Sequence, residues 1–99
     1  CGFDMLPGQE FDLVINGTSA GLTGSLPPLP DDLLAPEGAC YDMLYAAQPT
    51  PFMQWGKRQG AKTADGLGML VEQAAESFYV WRQVRPKTAT IIQAQRELL

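Results

Sequence analysis

The first strongly apolar stretch of the chain is Leu-Val-Ile at positions 13–15, inside the segment Phe11–Asn16. It shows no polar alternation, which is typical of a strand that is buried on both faces in a parallel sheet covered by helices. We therefore predict the first strand at Phe11–Asn16. The small residues 17–21 and a long Pro-containing loop follow. One helical turn is predicted at 31–34, capped by Asp31 and ended by residues 36–38.

A second strand is predicted over residues 40–45. Tyr41, Met43 and Tyr45 fall on one of its faces by alternation. The other face carries Asp42, whose carboxylate is costly in a strand interior unless it is hydrogen-bonded. We therefore expect Asp42 to lie at a strand end or to have a specific partner.

The next segment predicts a helix followed by a short third strand. Thr50 supplies a capping oxygen and Pro51 suits the first helical position. Lys57 and Arg58 fall in the last turn, where cations complement the helix dipole, and Gly60 is the stop. Residues 61–64 then form the weakly signalled third strand.

Two helices complete the pattern. The longer begins at residues 65–68, ends at Pro86 and has an apolar face at helical spacing. A final helix is predicted from about Thr90, with a capping box completed by Gln93. The apolar face of the longer helix comprises Leu67, Leu70, Val71, Ala74, Phe78 and Trp81.

This order predicts an α/β fold, a partial Rossmann-like doubly wound sheet of about three parallel strands with flanking helices and two C-terminal helices. In such sheets ligands bind beyond the carboxyl ends of the strands. Those ends are residues 16–19, with hydroxyls and flexible amides, 43–45, with a thioether and a phenol, and 65–66, with a glycine at a helix start. Together they indicate a nucleotide-sized ligand across the sheet edge.

Composition narrows the classes of partner. The 99 residues suffice for one domain, and the net charge of -4 argues against nucleic acid or an anionic membrane as the main partner. There is no His, which is the commonest metal ligand, and no metal site is predicted. The two cysteines are too few for a disulfide scaffold. No apolar run approaches a membrane span and no signal peptide is visible, so we expect a cytoplasmic location.

Cys1 stands where an initiator Met would be, so we expect the chain to be a piece of a longer protein. A mature lipoprotein, which also begins with Cys, is the alternative.

Four segments resemble shikimate dehydrogenases: residues 12–22 (DLVINGTSAGL), 41–45 (YDMLY), 50–52 (TPF) and 64–75 (ADGLGMLVEQAA). The resemblance runs from about Phe11 to the C-terminus, and it is most specific over 65–75. It covers only the C-terminal part of these enzymes. It implies that residues 1–99 form the second half of a Rossmann-like NADP-binding domain, including the closing helices from about residue 66.

The resemblance also implies a chemistry. Enzymes of this family reversibly reduce 3-dehydroshikimate to shikimate with NADPH, in the pathway toward aromatic amino acids and chorismate. Met43 and Gly66 would lie near the nicotinamide, and Thr18 and Ser19 would line the cofactor cleft. The substrate would be reached by the Tyr45 phenol and the Gln73 amide. Quinate as an additional substrate stays open.

The family's catalytic Lys and Asp pair, its glycine-rich phosphate loop and its basic motif for the adenosine phosphate lie upstream of the matched region. Lys57 and Lys62 are not in the catalytic context and are expected on the solvated surface. We therefore expect this chain alone not to catalyse hydride transfer and to bind NADP weakly or not at all.

Each candidate also has a simpler structural explanation. Tyr45 could be strand packing, Met43 a filler of core gaps, and Gln73 a solvated polar residue. Asp65 could be only an N-cap, and Gly66 could serve helix packing alone. Further plain alternatives are that Asn16 only stabilises its loop and that Cys40 is a buried small apolar residue.

Two functional alternatives come from other classes. Residues 27–30 (PPLP) have the spacing of a polyproline-type loop ligand, which would make the chain a non-catalytic interaction fragment. It could also be an assembly half that regains activity with an upstream half. Because a piece of a longer sheet lacks one neighbouring strand, we also expect an unpaired Phe11–Asn16 edge to favour self-association.

Overall fold

The computed structural model describes residues 2–99. Three parallel strands form one sheet, with neighbours in sequence order, which confirms the predicted α/β class with a three-stranded parallel sheet. Short 3-10 helices occupy Phe3–Met5 and Ala20–Thr23. The main elements are β1 (Phe11–Asn16), β2 (Leu34–Asp42), α1 (Pro51–Arg58), β3 (Lys62–Ala64), α2 (Leu67–Arg82) and α3 (Thr88–Leu98).

The register of the sheet brings the strand ends to one edge. Asn16 at the end of β1 lies opposite Asp42 at the end of β2. Tyr41, one residue before that end, lies opposite Ala64 at the end of β3. Because the strands are parallel, all three carboxyl ends open on the same side of the sheet.

Helix α1 forms the core by packing against β2 and β3. The rings of Phe52 and Trp55 stack at 5.5 Å between centroids, and both side chains are buried with Leu33 and Cys40. Burying each ring contributes on the order of 2–3 kcal/mol. Burial raises the pKa of the Cys40 thiol, so Cys40 packs as a small apolar residue, as predicted.

The predicted limits of α1 are confirmed. The Thr50 hydroxyl oxygen accepts a hydrogen bond from the Met53 backbone N–H at 3.3 Å, and Pro51 is the first helical residue. Gly60, just past the helix, has a φ of 76°, a left-handed conformation that glycine adopts without steric cost.

The helical turn predicted at 31–34 is wrong. The Leu33 carbonyl accepts a 2.8 Å hydrogen bond from the Phe11 N–H, and the next residue already begins β2. The pairing with β1 is interrupted by a bulge at 35–38, where Glu37 has a φ of 65°. Because the bulge breaks the alternation of the strand, the sequence resembles a turn there. The predicted second strand also ends too late, since β2 stops at Asp42.

The expectation that β1 is buried on both faces is wrong for the described chain. Leu13 and Ile15 are 54% and 57% exposed, whereas Val14 packs against the core. The reason lies in the helix arrangement: α1 packs against β2 and β3, while α2 and α3 pack against each other. No described helix therefore covers the Leu13–Ile15 face of β1.

The ends of the last two helices differ from the prediction. Helix α2 ends at Arg82, before Pro86, because Gln83 adopts a left-handed conformation with a φ of 56°. Helix α3 begins at Thr88 after an extended Lys87, so the predicted cap at Thr90 lies inside the helix and its capping box does not form. Trp81, placed on the apolar face of α2, is 77% exposed. None of the helices in residues 2–99 is both long and apolar enough to cross a bilayer.

Candidate functional site

The three strand ends are tied together through the main chain. The Met43 N–H donates to the Asn16 carbonyl at 3.0 Å, and the Gly66 N–H donates to the Leu44 carbonyl at 2.9 Å. The segments 16–19, 43–45 and 65–66, which we call the strand-end rim, are therefore held side by side. This confirms that the three predicted ligand-binding segments meet at one edge.

Hydrogen bonds to the buried Asp42 carboxylate hold the rim segments in place. Asp42 is fully buried, with 0% exposure, and its carboxylate accepts hydrogen bonds from three separate places. One oxygen accepts from the Asn16 side-chain amide at 3.3 Å and from the Leu44 N–H at 3.1 Å. The other accepts from the Thr50 hydroxyl at 2.5 Å. The end of β1, the loop after β2 and the start of α1 thus share one carboxylate, which meets the expectation of both a strand end and specific partners.

The hydrogen positions in this network follow from its backbone donors. The Asn16 amide oxygen accepts from the Thr18 N–H at 3.0 Å and from its hydroxyl at 2.7 Å, so the Asn16 NH₂ faces Asp42. The Thr50 oxygen accepts from the Met53 N–H, so its own hydrogen is free to point at Asp42. The Asn16 amide, the Leu44 N–H and the Thr50 hydroxyl can therefore all donate to the Asp42 oxygens at once.

Gly66 is required by a close approach of two backbones. A Cβ at this position would overlap the Met43 carbonyl oxygen and lie 2.7 Å from the Met43 carbonyl carbon. Gly66 has a φ of -82°, so space rather than dihedral angle is the constraint. Gly17 similarly faces the Met43 sulfur, 3.3 Å from where its Cβ would be. Met43, Gly66 and Gly17 are thus brought together at the rim.

The other predicted ligand contacts are less closely grouped. Thr18 and Ser19 are exposed on the loop after β1, and Tyr45 is 40% exposed. Gln73 lies seven residues beyond Gly66 on α2, and its amide donates to the Leu70 carbonyl of its own helix at 3.0 Å. Within residues 2–99 no hydrogen bond joins Gln73 to Tyr45 or to another rim residue. The ligand roles of Thr18, Ser19, Met43, Tyr45, Gly66 and Gln73 stay predictions.

Asp65 has a partner that sequence reasoning missed. Its two carboxylate oxygens accept hydrogen bonds from the two terminal nitrogens of Arg96 at 2.6 and 2.8 Å. The same side chain accepts from the Leu67 N–H at 3.2 Å, but the N-cap of α2 is Gly66, so the prediction of Asp65 as the N-cap is wrong by one residue. The Arg96 guanidinium holds the pKa of Asp65 below its ordinary value. No local sequence pattern predicts the Asp65–Arg96 pair, because the two residues are 31 positions apart.

A cavity of about 420 Å³ adjoins the rim between the loop 46–49, the end of β3 and α3. Asp65 and Arg96 line it, but none of the six predicted ligand contacts does. Across residues 2–99 there is also no group of three acidic or Cys side chains that could hold a metal ion. The rim therefore remains the best candidate site.

The chain is similar to known dehydrogenases over nearly its whole length. Residues 66–94 match the family described as shikimate 5'-dehydrogenase C-terminal domain. The chain is 62% identical over 99 residues to the shikimate dehydrogenase (NADP(+)) of Cellvibrio japonicus, covering 99% of this chain and 36% of the relative. It is 68% identical over 96 residues to that of Alkalilimnicola ehrlichii, covering 96% and 35%.

Solved structures of shikimate dehydrogenases are also similar to this chain. The crystal structure of shikimate 5-dehydrogenase from Thermus thermophilus in complex with NADP(H) and shikimate superimposes with a TM-score of 0.77 at 36% identity. That match covers 89% of this chain and 34% of the other. The chain thus spans about a third of the length of the curated relatives it matches. The resemblance found in the sequence and its Rossmann-like fold are confirmed.

We expect Gly66→Ala to destabilise the chain by roughly 2 kcal/mol, because the new methyl group would overlap the Met43 carbonyl. Gly68→Ala is the matched control. No atom lies within 4 Å of its Cβ position, so alanine there should leave stability unchanged or raise it slightly. Urea unfolding of the two variants measures the difference. Equal stabilities would contradict the close approach at the rim.

We expect Arg96→Met to reduce stability at neutral pH by about 1 kcal/mol, as for a bidentate, partly exposed pair. Because the folded-state pKa of Asp65 is lowered, its contribution is fully present above its unfolded pKa of about 4 and is lost as pH falls through the folded value. The difference between wild type and Arg96→Met in urea unfolding should therefore shrink below about pH 4.

Arg85→Met is the control for this pair, since it breaks the exposed ion pair between Arg85, in the loop between α2 and α3, and Glu76 of α2. Its effect on stability should be small and should not shrink at low pH in the way expected for Arg96→Met, because solvent screens the ion pair and the contact of Arg85 with the Tyr79 ring does not depend on Asp65. A difference for Arg96→Met that stays constant well below the unfolded pKa of Asp65 would show that the lost packing, and not the charge of Asp65, is responsible.

Proposed function

Since this chain is a homologue of shikimate dehydrogenases, we propose that it forms the nicotinamide-binding part of an NADP-dependent shikimate dehydrogenase. The whole enzyme would reversibly reduce 3-dehydroshikimate to shikimate. The observation that carries the proposal is the strand-end rim, where three parallel strands open together and two glycines keep space free beside Met43. This is where Rossmann-like sheets bind dinucleotides.

The chemistry of the rim suits the nicotinamide end of the cofactor. Gly17 and Gly66 allow close approach to the main chain, and Met43 offers an exposed apolar surface that would exclude water. When bound, NADPH supplies the hydride. Thr18 and Ser19 would line the cofactor cleft, and the Tyr45 phenol and Gln73 amide would hold hydroxyl or carboxylate groups of the substrate.

The rim does not suit the phosphates of the cofactor. Its three segments contain no Lys or Arg, and the nearby Arg96 is bound to Asp65. The cations of α1 and the start of β3, Lys57, Arg58 and Lys62, lie toward the opposite edge of the sheet. Phosphate binding and the catalytic Lys and Asp pair would come from the part of the enzyme that this chain does not span.

We propose further that residues 1–99 form one segment of the cofactor domain, with the closing helices from about residue 66. A biosynthetic reduction by NADPH suits the cytoplasm, which is the location we propose.

The alternative that residues 27–30 are a polyproline-type ligand gains no support from the structure. Pro27 is buried, Leu26 and Leu29 pack against the core, and the Leu29 N–H donates to the Pro27 carbonyl at 2.7 Å. A loop folded in this way does not present an extended PPII ligand.

The test is a chimeric enzyme in which this chain replaces the matching third of the Cellvibrio japonicus relative. We expect NADPH-dependent reduction of 3-dehydroshikimate by the chimera and none by the chain alone. In the chimera, Tyr45→Phe should lower kcat/KM about tenfold, because a substrate hydrogen bond is lost. Tyr79→Phe, on the exposed surface of α2, is the matched control and should have no effect.

A chimera that folds but does not turn over shikimate would contradict the proposed function. Turnover by the 99-residue chain alone would contradict the assignment of catalysis to the rest of the enzyme.

We also expect the isolated chain to self-associate through β1. Within residues 2–99 only one edge of β1 is paired, and Leu13 and Ile15 are more than half exposed beside it. Unpaired backbone groups on an apolar edge strand favour pairing with another copy. Sedimentation velocity should show mass increasing with concentration.

A charge on the edge strand should suppress this association, so Ile15→Lys is expected to give a monomer. Leu22→Lys, at a residue that is 74% exposed in the 3-10 helix Ala20–Thr23, is the control and should not. A wild-type chain that is monomeric at all concentrations would rule out the interaction.

A further inference from the structure

Asp42 is a buried charged group that the proposed function does not yet use. Its carboxylate lies at the last position of β2, directly before Met43. It has 0% exposure and is surrounded by the donors of Asn16, Leu44 and Thr50. All three donors are neutral groups. They satisfy the oxygen atoms, and the N-terminus of α1 lies beside one of them, but none of the donors carries a full positive charge.

No cation neutralises this charge within the described chain. The two ion pairs among residues 2–99 join Arg85 to Glu76 and Arg96 to Asp65. Asp65, the acid within the rim, is thus already paired. In the part of the chain described, Asp42, directly below the rim, has no cationic partner. A charge in the interior is screened far less by water and salt than one on the surface.

The charge of the cofactor ring changes in the reaction. The oxidised nicotinamide ring is a cation, whereas the reduced ring is neutral. The phosphates and riboses are the same in both forms, so a fixed negative charge close to the ring would distinguish them by electrostatics alone. A buried anion below the rim would therefore favour the oxidised form of a ring bound there.

We propose that Asp42 determines the relative affinity of the enzyme for NADP+ and NADPH, as a buried anion that stabilises the cationic oxidised ring. This inference rests on the proposed function, because it needs the nicotinamide at the strand-end rim. It assigns Asp42 no part in proton or hydride transfer. Its effect is on the ratio of the two dissociation constants.

The experiment compares Asp42→Asn with wild type in the chimeric enzyme, with dissociation constants for NADP+ and NADPH measured by tryptophan fluorescence. Asparagine keeps the shape and can still accept from Leu44 and Asn16 while donating to Thr50. We expect the dissociation constant for NADP+ to rise about tenfold, the size expected for one weakly screened charge. The constant for NADPH should stay within about twofold, since the reduced ring is neutral.

Asp32→Asn is the matched control. It removes one carboxylate from an exposed position just before β2, at the other end of that strand. The ratio of the two constants should not change, because an exposed and distant charge is screened.

Two outcomes of the Asp42→Asn measurement overturn the inference. If both constants rise equally, Asp42 only maintains the structure of the rim; if neither rises, its charge does not reach the ring. Both leave the proposed function intact, whereas a wild-type chimera that binds neither form of the cofactor contradicts the proposed function itself.

A second measurement needs no variant and holds even if Asp42→Asn fails to fold. The wild-type ratio of the two constants is measured between low and high salt. A buried charge predicts a ratio favouring NADP+ that stays constant, although both affinities weaken as phosphate contacts are screened. A ratio that falls to one at high salt would show a surface charge to be responsible and would overturn the role of Asp42.

Discussion

The hydrogen bonds to the Asp42 carboxylate are the constraint on which the site depends. A buried carboxylate is tolerated only when its oxygens are satisfied, and here the donors come from three elements that are distant in sequence. Satisfying Asp42 therefore fixes the end of β1, the loop after β2 and the first turn of α1 relative to one another. The Met43 main chain, which Gly66 approaches, is positioned as a consequence. A loss of any one donor would cost more than the bond itself, because it would leave the charge undersolvated.

Local chemistry made much of this architecture predictable. Thr50 and Pro51 mark a helix start by the chemistry of two residues alone, and Phe11–Asn16 marks a strand by composition. The start of β2 was not predictable, because the bulge at 35–38 contains Pro, a left-handed Glu37 and Gly and so resembles a turn. Only pairing with β1 makes that segment a strand. Tertiary contacts override local propensity at such positions.

The candidate site, like the fold, was predictable from the sequence only in part. An acid inside a strand requires partners, so the sequence pointed to a network around Asp42 without identifying its members. Gly66 at a helix start suggested close approach, but only the fold shows that the atom approached is the Met43 carbonyl. Arg96 gave no signal, since an exposed arginine near a helix end is ordinarily explained by the dipole alone. Pairs of this kind are set by how α3 packs against the rest of the chain.

The exposed apolar side chains of β1, Leu13 and Ile15, are explained by the proposed function and not by packing within the described chain. A dinucleotide-binding sheet has six strands in the order 3-2-1-4-5-6. Three consecutive strands paired in sequence order, as β1-β2-β3 are, match either 1-2-3 or 4-5-6 of that order, and in both cases the proposed function would place β1 at the middle of the complete sheet. A central strand is covered by helices on both faces. The Leu13 and Ile15 side chains, exposed here, then mark the face on which the remainder of the enzyme would pack. The prediction that β1 is buried on both faces was wrong for this chain. The apolar sequence of β1 nevertheless suits a strand that is covered on both faces, as it would be in the whole enzyme.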